Sequence, residues 1–105
     1  MFKTALKELG FADVYETALG ADMGCMAEAE HYVKEVATGK QQFALTSCCP
    51  SWSVMAKNLF PETIDKISNE LTPMVATARL IKQEHPDASV VFIGPCASKK
   101  LEASR

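Results

Sequence analysis

The apolar positions of the chain change period along its length, and each change predicts an element. Phe2, Ala5, Leu6 and Leu9 recur at helical spacing, and Gly10 stands where a C-terminal cap belongs. Asp13-Val14-Tyr15-Glu16 is a short strand candidate. A long helical pattern then runs from about Ala21 to Ala37, with Met26, Ala29, Tyr32, Val33 and Val36 among its apolar positions and Gly39 after its end. Phe43-Ala44-Leu45-Thr46 is apolar but too short for a helix, so the pattern predicts a buried strand. Pro50 suits a first helical turn, and Trp52, Met55, Ala56 and Leu59 continue that helix until Phe60-Pro61-Glu62 stops it. Thr72-Pro73 starts another helix, which reaches about Glu84 and ends at His85-Pro86-Asp87. Val90-Val91-Phe92-Ile93 is the clearest strand pattern, and Gly94-Pro95-Cys96 follows it directly.

Strands alternating with helices predict an α/β fold, a parallel sheet flanked by helices on both faces. Phe43–Thr46 and Val90–Ile93 are expected as its central neighbouring strands. Ligands of such sheets collect beyond the carboxyl ends of the strands. Thr46-Ser47-Cys48-Cys49 and Gly94-Pro95-Cys96 both lie there, so Cys49 and Cys96 are expected to face one crevice. Neighbouring strand ends are about 5 Å apart.

With 105 residues the chain is one domain at most. Its hydrophobic content of 48% excludes a disordered tail. A formal net charge of -2, with scattered basic residues, gives no field for nucleic acid or an anionic membrane. No apolar run approaches the ~20 residues of a membrane span. Lys3, Lys7 and Glu8 interrupt the opening turns, so no signal peptide is expected, and the localisation is read as cytoplasmic.

The four cysteines, Cys25, Cys48, Cys49 and Cys96, change this picture. Without a secretory signal a disulfide framework is not expected, and the spacing fails the paired CxxC pattern of zinc sites. Small buried hydrophobes, a redox thiol site and a soft-metal or iron–sulfur site all remain open. A thiolate is electrostatically favoured at a helix N-terminus, where Cys48, Cys49 and Cys96 are all expected. Cys25 lies between Met23 and Met26 on an apolar helix and is read as a core residue.

Thr46-Ser47-Cys48-Cys49-Pro50-Ser51-Trp52 resembles the first active-site signature of the [FeFe]-hydrogenases, TSCCPxW. Gly94-Pro95-Cys96-Ala97-Ser98-Lys99-Lys100-Leu101-Glu102 resembles their second, MPCxxKKxE. Leu9-Gly10-Phe11, Gly20-Ala21-Asp22, Phe60-Pro61-Glu62 and Thr72-Pro73 resemble further family elements in the expected order, so the likeness covers nearly the whole chain.

The resemblance implies one lobe of the catalytic domain, a single partial domain over 1–105. It also implies an H-cluster in the full-length parent: a [4Fe-4S] cube joined through a cysteine sulfur to a di-iron subsite carrying CO, cyanide and a bridging dithiolate. By the same resemblance Cys49 and Cys96 ligate the cube. Cys48 is implied as the thiol that passes protons to the di-iron centre. Lys99 is implied as a donor to an iron-bound cyanide, a role an ammonium suits. Thr72, Pro73 and Gly94 fall at cofactor-facing positions. Glu28, Ser68 and Glu102 are the implied proton path, with His31 at a position where much of the family has a second glutamate. Imidazole can relay protons.

Two departures accompany the likeness. Gly94 replaces the family's methionine, which is expected to open the pocket, and Met74 stands where glutamine is usual. Both resemble a divergent, H2-sensing branch. Leu101-Glu102-Ala103-Ser104-Arg105 also resembles the cytosolic iron–sulfur assembly factor, whose relatives carry a single cysteine before Pro-x-Trp, so Cys48-Cys49 favours hydrogenase. The third signature, with the remaining cube ligands, and the ferredoxin-type cysteine runs are absent from the sequence. The chain is therefore expected to bind no cofactor and to be inactive alone. Its implied partners are the rest of the catalytic domain, a ferredoxin-type electron donor or acceptor, H2 and protons, with neither nucleic acid nor membrane.

Overall fold

Thr72 precedes the one helix of the chain whose N-cap side chain makes a capping hydrogen bond. Its extended backbone and side-chain oxygen cap the first turn by accepting the Val75 N–H, and Pro73 fills the first helical position. The computed structural model describes residues 1–105. It contains helices α1 (Phe2–Glu8), α2 (Ala18–His31), α3 (Pro50–Leu59), α4 (Pro73–Glu84) and α5 (Ala97–Ser104). A π-helical turn, Tyr32–Val36, continues α2, and a 3-10 helix, Pro61–Lys66, follows α3. Gly10 and Gly39, at φ 107° and 81°, take left-handed turns just after α1 and after that π-turn.

The expected parallel sheet is not there. The only β-type pairing is a single parallel bridge between Leu45 and Ile67. The partner that reaches Leu45 is thus the segment between α3 and α4, not Val90–Ile93. Leu45 N–H donates to Lys66 C=O (2.9 Å) and Leu45 C=O accepts from Ser68 N–H (2.7 Å). Val90–Ile93 makes no backbone–backbone hydrogen bond, and neither Val14 nor Tyr15 does. The physical reason is that strand propensity is satisfied only across a partner backbone. Apolar runs that nothing pairs remain irregular, and the architecture is helical rather than α/β with helices on both faces of a sheet.

The interior is built where α2 crosses α4. The half-buried and buried positions of α2 are Gly20, Ala21, Gly24, Ala27, Glu28 and His31, a stripe of mostly small residues. Its large apolar side chains, Leu19, Met23 and Met26, point outward, and Met26 is 75% exposed. Gly20 permits the close approach. A Cβ there would collide with the Pro73 carbonyl oxygen and the Thr77 hydroxyl, and would lie 3.1 Å from the Pro73 carbonyl carbon. Gly20, Met74 and Thr77 are buried at this crossing. The Thr77 hydroxyl bonds Pro73 C=O (2.8 Å) and also reaches Thr17 C=O (3.5 Å).

Elsewhere the packing is open. Only 6 of 105 residues are buried, and no large side chain is fully enclosed. The radius of gyration is 16.3 Å, against about 13 Å for a compact chain of this length. Helix α1 is held to the segment after it by the ion pairs Lys3–Glu16 and Lys7–Asp13, both 3.6 Å and exposed. An apolar groove of about 950 Å³ runs beside it, floored by Met74, Val75 and Ile81 of α4 and walled by Phe11, Val91 and Phe92. No helix is long and apolar enough to cross a membrane.

Candidate functional site

The loop that carries Cys48 and Cys49 is anchored on three sides. Leu45 ties its entry to the Lys66–Ser68 backbone. The Ser47 hydroxyl donates to Glu70 C=O (2.8 Å), and the Trp52 indole N–H donates back to Thr46 C=O (3.0 Å). The loop closes on itself because Pro50 starts α3 immediately and brings Trp52 round within the first turn.

Cys49 is the N-cap residue of α3, and Cys96 is the N-cap residue of α5. Both have extended backbones, at φ -109°, ψ 114° and φ -84°, ψ 111°, and neither side chain makes a capping hydrogen bond. Each thiol is half-buried and free, at a position where backbone N–H groups favour an anion. The two helix starts meet: the Ser51 hydroxyl donates to the Ser98 hydroxyl oxygen at 2.7 Å.

Helix α5 is fixed a second time one turn later. The Thr72 hydroxyl donates to both carboxylate oxygens of Glu102, at 3.1 Å each. Ser98 and Glu102 are four residues apart and so share one face of α5. Beside this link lies a polar cleft of about 230 Å³, lined among others by Ser47, Lys57, Ser68, Glu70, Thr72 and Glu102. Ser68 Oγ accepts Glu70 N–H within it (3.2 Å).

Of the residues singled out from the sequence, Ser68, Thr72 and Glu102 therefore come together at one cleft. Cys49 and Cys96 sit at adjoining helix starts. Cys48 is exposed on the bend beside Cys49. Lys99 is half-buried in the first turn of α5 and makes no hydrogen bond or ion pair within the chain. Pro73 lies in the buried crossing, where its carbonyl oxygen accepts from Thr77. Glu28 and His31 are not among the residues of the polar cleft. They lie on the inward stripe of α2, half-buried rather than solvated.

Cys25 is a correction. It is exposed, because the small stripe of α2 and not its methionine face turns inward. At Gly94 the space that a larger residue would enter is already taken: a Cβ there would lie 2.6 Å from Cζ of Phe92.

Sequence reasoning missed Ser51 and Ser98. The signal available was their common offset, two residues after each cysteine in Cys-Pro-Ser and Cys-Ala-Ser.

The donor set fits part of an iron–sulfur site. Two uncommitted thiols at neighbouring helix starts suit thiolate ligation, yet nowhere do three or more His, Cys, Asp or Glu side chains form a metal-binding group. The chain therefore presents two such thiols and no fuller set of metal ligands.

The profile of the iron-only hydrogenase large subunit, C-terminal domain, matches residues 1–105. The chain belongs to this family. Iron hydrogenase 1 of Clostridium pasteurianum is 34% identical over 110 residues, covering 97% of this chain and 19% of that protein. The periplasmic [Fe] hydrogenase large subunit of Nitratidesulfovibrio vulgaris is 31% identical over 112 residues, covering 96% and 26%. A cytosolic Fe-S cluster assembly factor of Meyerozyma guilliermondii is 29% identical over 108 residues, covering 95% and 20%. The chain thus spans about a fifth to a quarter of the length of these relatives, and corresponds to part of the hydrogenase domain. No solved structure matches it.

Proposed function

We propose that the chain is the part of an iron-only hydrogenase catalytic domain that contributes cluster ligands for reversible H2 oxidation and proton reduction. The observation that carries this reading is the pair Cys49 and Cys96. Both are helix N-cap residues with free thiols, and a direct Ser51–Ser98 hydrogen bond joins their helices. In this reading the two thiolates hold a [4Fe-4S] cube, and the rest of the domain completes it and its di-iron subsite. When bound, that H-cluster supplies the redox centre at which H2 interconverts with protons and electrons. The electron partner is a ferredoxin-type protein, and the location is the cytoplasm.

The chain's own groups take the remaining work. Cys48 Sγ, exposed and adjacent to a ligand, gives up and takes back a proton. The Lys99 ammonium has no partner inside the chain, which leaves it to donate to an anionic ligand of the cofactor. Thr72 holds the Glu102 carboxylate toward the polar cleft, where Ser68 lies and a proton can be handed on. Glu28, with His31 beside it on α2, would extend that path. Gly94, with the Phe92 ring against it, shapes the cofactor side of the second cysteine loop.

The test is made in the full-length parent. Cys48→Ala is expected to keep the iron content of the parent and to lose H2 oxidation, since a methyl group carries no proton. Iron retained together with parental rates would show that protons do not pass through Cys48. A second reading, an iron–sulfur assembly factor, is favoured by the likeness to assembly factors over 95% of the chain. It predicts a parent that holds iron and shows no H2 turnover at all.

A further inference from the structure

The α3–α5 contact contains one side-chain hydrogen bond, Ser51 to Ser98 at 2.7 Å. Each serine lies at the second helical position of its helix, two residues after a cysteine N-cap, so the two cysteines are related through it in the same register. Little else fixes the start of α5. The Val90–Ile93 segment that leads into it makes no backbone hydrogen bond, and the other side-chain bond from α5 to the remainder of the chain is that of Glu102, six residues beyond Cys96. At most about 7.6 Å of chain separates each cysteine from its bonded serine. The bond therefore acts close to the thiols it would align.

We propose that Ser51 and Ser98 form a clasp that sets the separation of the Cys49 and Cys96 thiols, and that they are positioning residues for the cluster ligands. The inference rests on the reading of Cys49 and Cys96 as a ligand pair. A hydroxyl pair suits this task. It is short, it is neutral, and it adds no charge beside two thiolates that carry their own.

The test needs no iron. In the 105-residue chain carrying Cys25→Ser and Cys48→Ser, only Cys49 and Cys96 remain as thiols. They are treated with a short reagent bearing two bromomethyl groups. Each thiolate displaces one bromide to form a thioether, and no oxidant is involved. Mass analysis gives the ratio of chain bridged by one reagent to chain carrying two. Ser51→Ala and Ser98→Ala are each expected to lower that ratio about fivefold, the worth of one net hydrogen bond. The double variant is expected to fall no further than either single one, because both remove the same bond. Ser98→Thr should restore bridging. Ser53→Ala should leave it unchanged, since the Ser53 hydroxyl bonds Pro50 C=O inside α3 (3.2 Å). Parental bridging in the alanine variants, losses that add, or a parental ratio no higher than in denaturant would each overturn the clasp. Iron content of the cysteine variants is read separately, so failure of the clasp and failure of the ligand assignment are distinguishable.

Discussion

Gly20→Ala places a methyl group at the α2–α4 crossing, where the Pro73 carbonyl oxygen and the Thr77 hydroxyl occupy the space. The Pro73 carbonyl is backbone in the first turn of α4, so this obstacle cannot swing aside as a side-chain tip can. Alanine in a helix interior gains about 1 kcal/mol over glycine. Overpacking a tight contact costs about 1–3 kcal/mol, and separating the helices also exposes Met74 and Thr77. A net loss of about 2 kcal/mol is expected, a large share of the ~5 kcal/mol that a loosely packed chain of this length holds at the low end. Gly24→Ala is the internal comparison, being in the same helix one turn on, with no atom within 4 Å of the added Cβ. It should gain about 0.5–1 kcal/mol. Urea unfolding of the 105-residue chain, followed by far-UV circular dichroism, separates the two. With a slope of about 1–2 kcal/mol per molar, the midpoints should differ by about 1–3 M, in opposite directions from the parent. A Gly20→Ala midpoint at or above the parent would refute the close crossing as the centre of the fold.

Thr72→Val removes both the N-cap acceptor and the donor to Glu102, and should cost about 2 kcal/mol in the same urea assay, whereas Thr72→Ser should cost under ~1 kcal/mol. The exposed Glu30–Lys34 pair spans the junction of α2 and its π-turn; the bond to Lys34 holds the Glu30 carboxyl below its ordinary value, and the same bond raises Lys34. Its support is therefore present at neutral pH and lost as pH falls through and below the carboxylate range. At the alkaline end it is lost as pH climbs past the ordinary lysine range. Helicity followed by circular dichroism across pH should dip at both extremes, less so at high salt. If Cys49 and Cys96 supply two of four cube thiolates, as proposed, the isolated 105-residue chain should purify colourless and show no H2 turnover after iron–sulfur reconstitution, and turnover there would refute that ligand count.

Helix boundaries marked by proline or glycine were the most legible part of the fold, because their signals are local. Thr72-Pro73, Cys49-Pro50 and the two left-handed glycines mark boundaries that the structure reproduces. The sheet was not legible, because pairing is non-local. Val90–Ile93 has the composition of a central strand yet finds no partner, and Leu45 bridges Ile67 instead. The inward face of α2 misled for a related reason. Apolar periodicity points to the methionines, whereas the contact is selected by what lets two backbones approach, and Gly20 does that. At the site, the cysteine loops were visible as motifs. The Ser51–Ser98 and Thr72–Glu102 bonds that hold them were not, since single serines and threonines carry no pattern of their own.

The proposed assignment makes Cys49 and Cys96, and not Cys25, the cluster ligands of this chain. It is tested most directly by iron per polypeptide in the full-length parent carrying Cys49→Ala, Cys96→Ala or Cys25→Ala. Cys25 is exposed within α2 and stands at no helix start, so its variant should keep the parental iron content. Cys49→Ala and Cys96→Ala should each lose the cluster, because these two are the N-cap residues of α3 and α5 while the neighbouring Cys48 lies exposed on the bend before α3. Parental iron in either of these two variants, or iron lost equally from all three, would contradict the assignment.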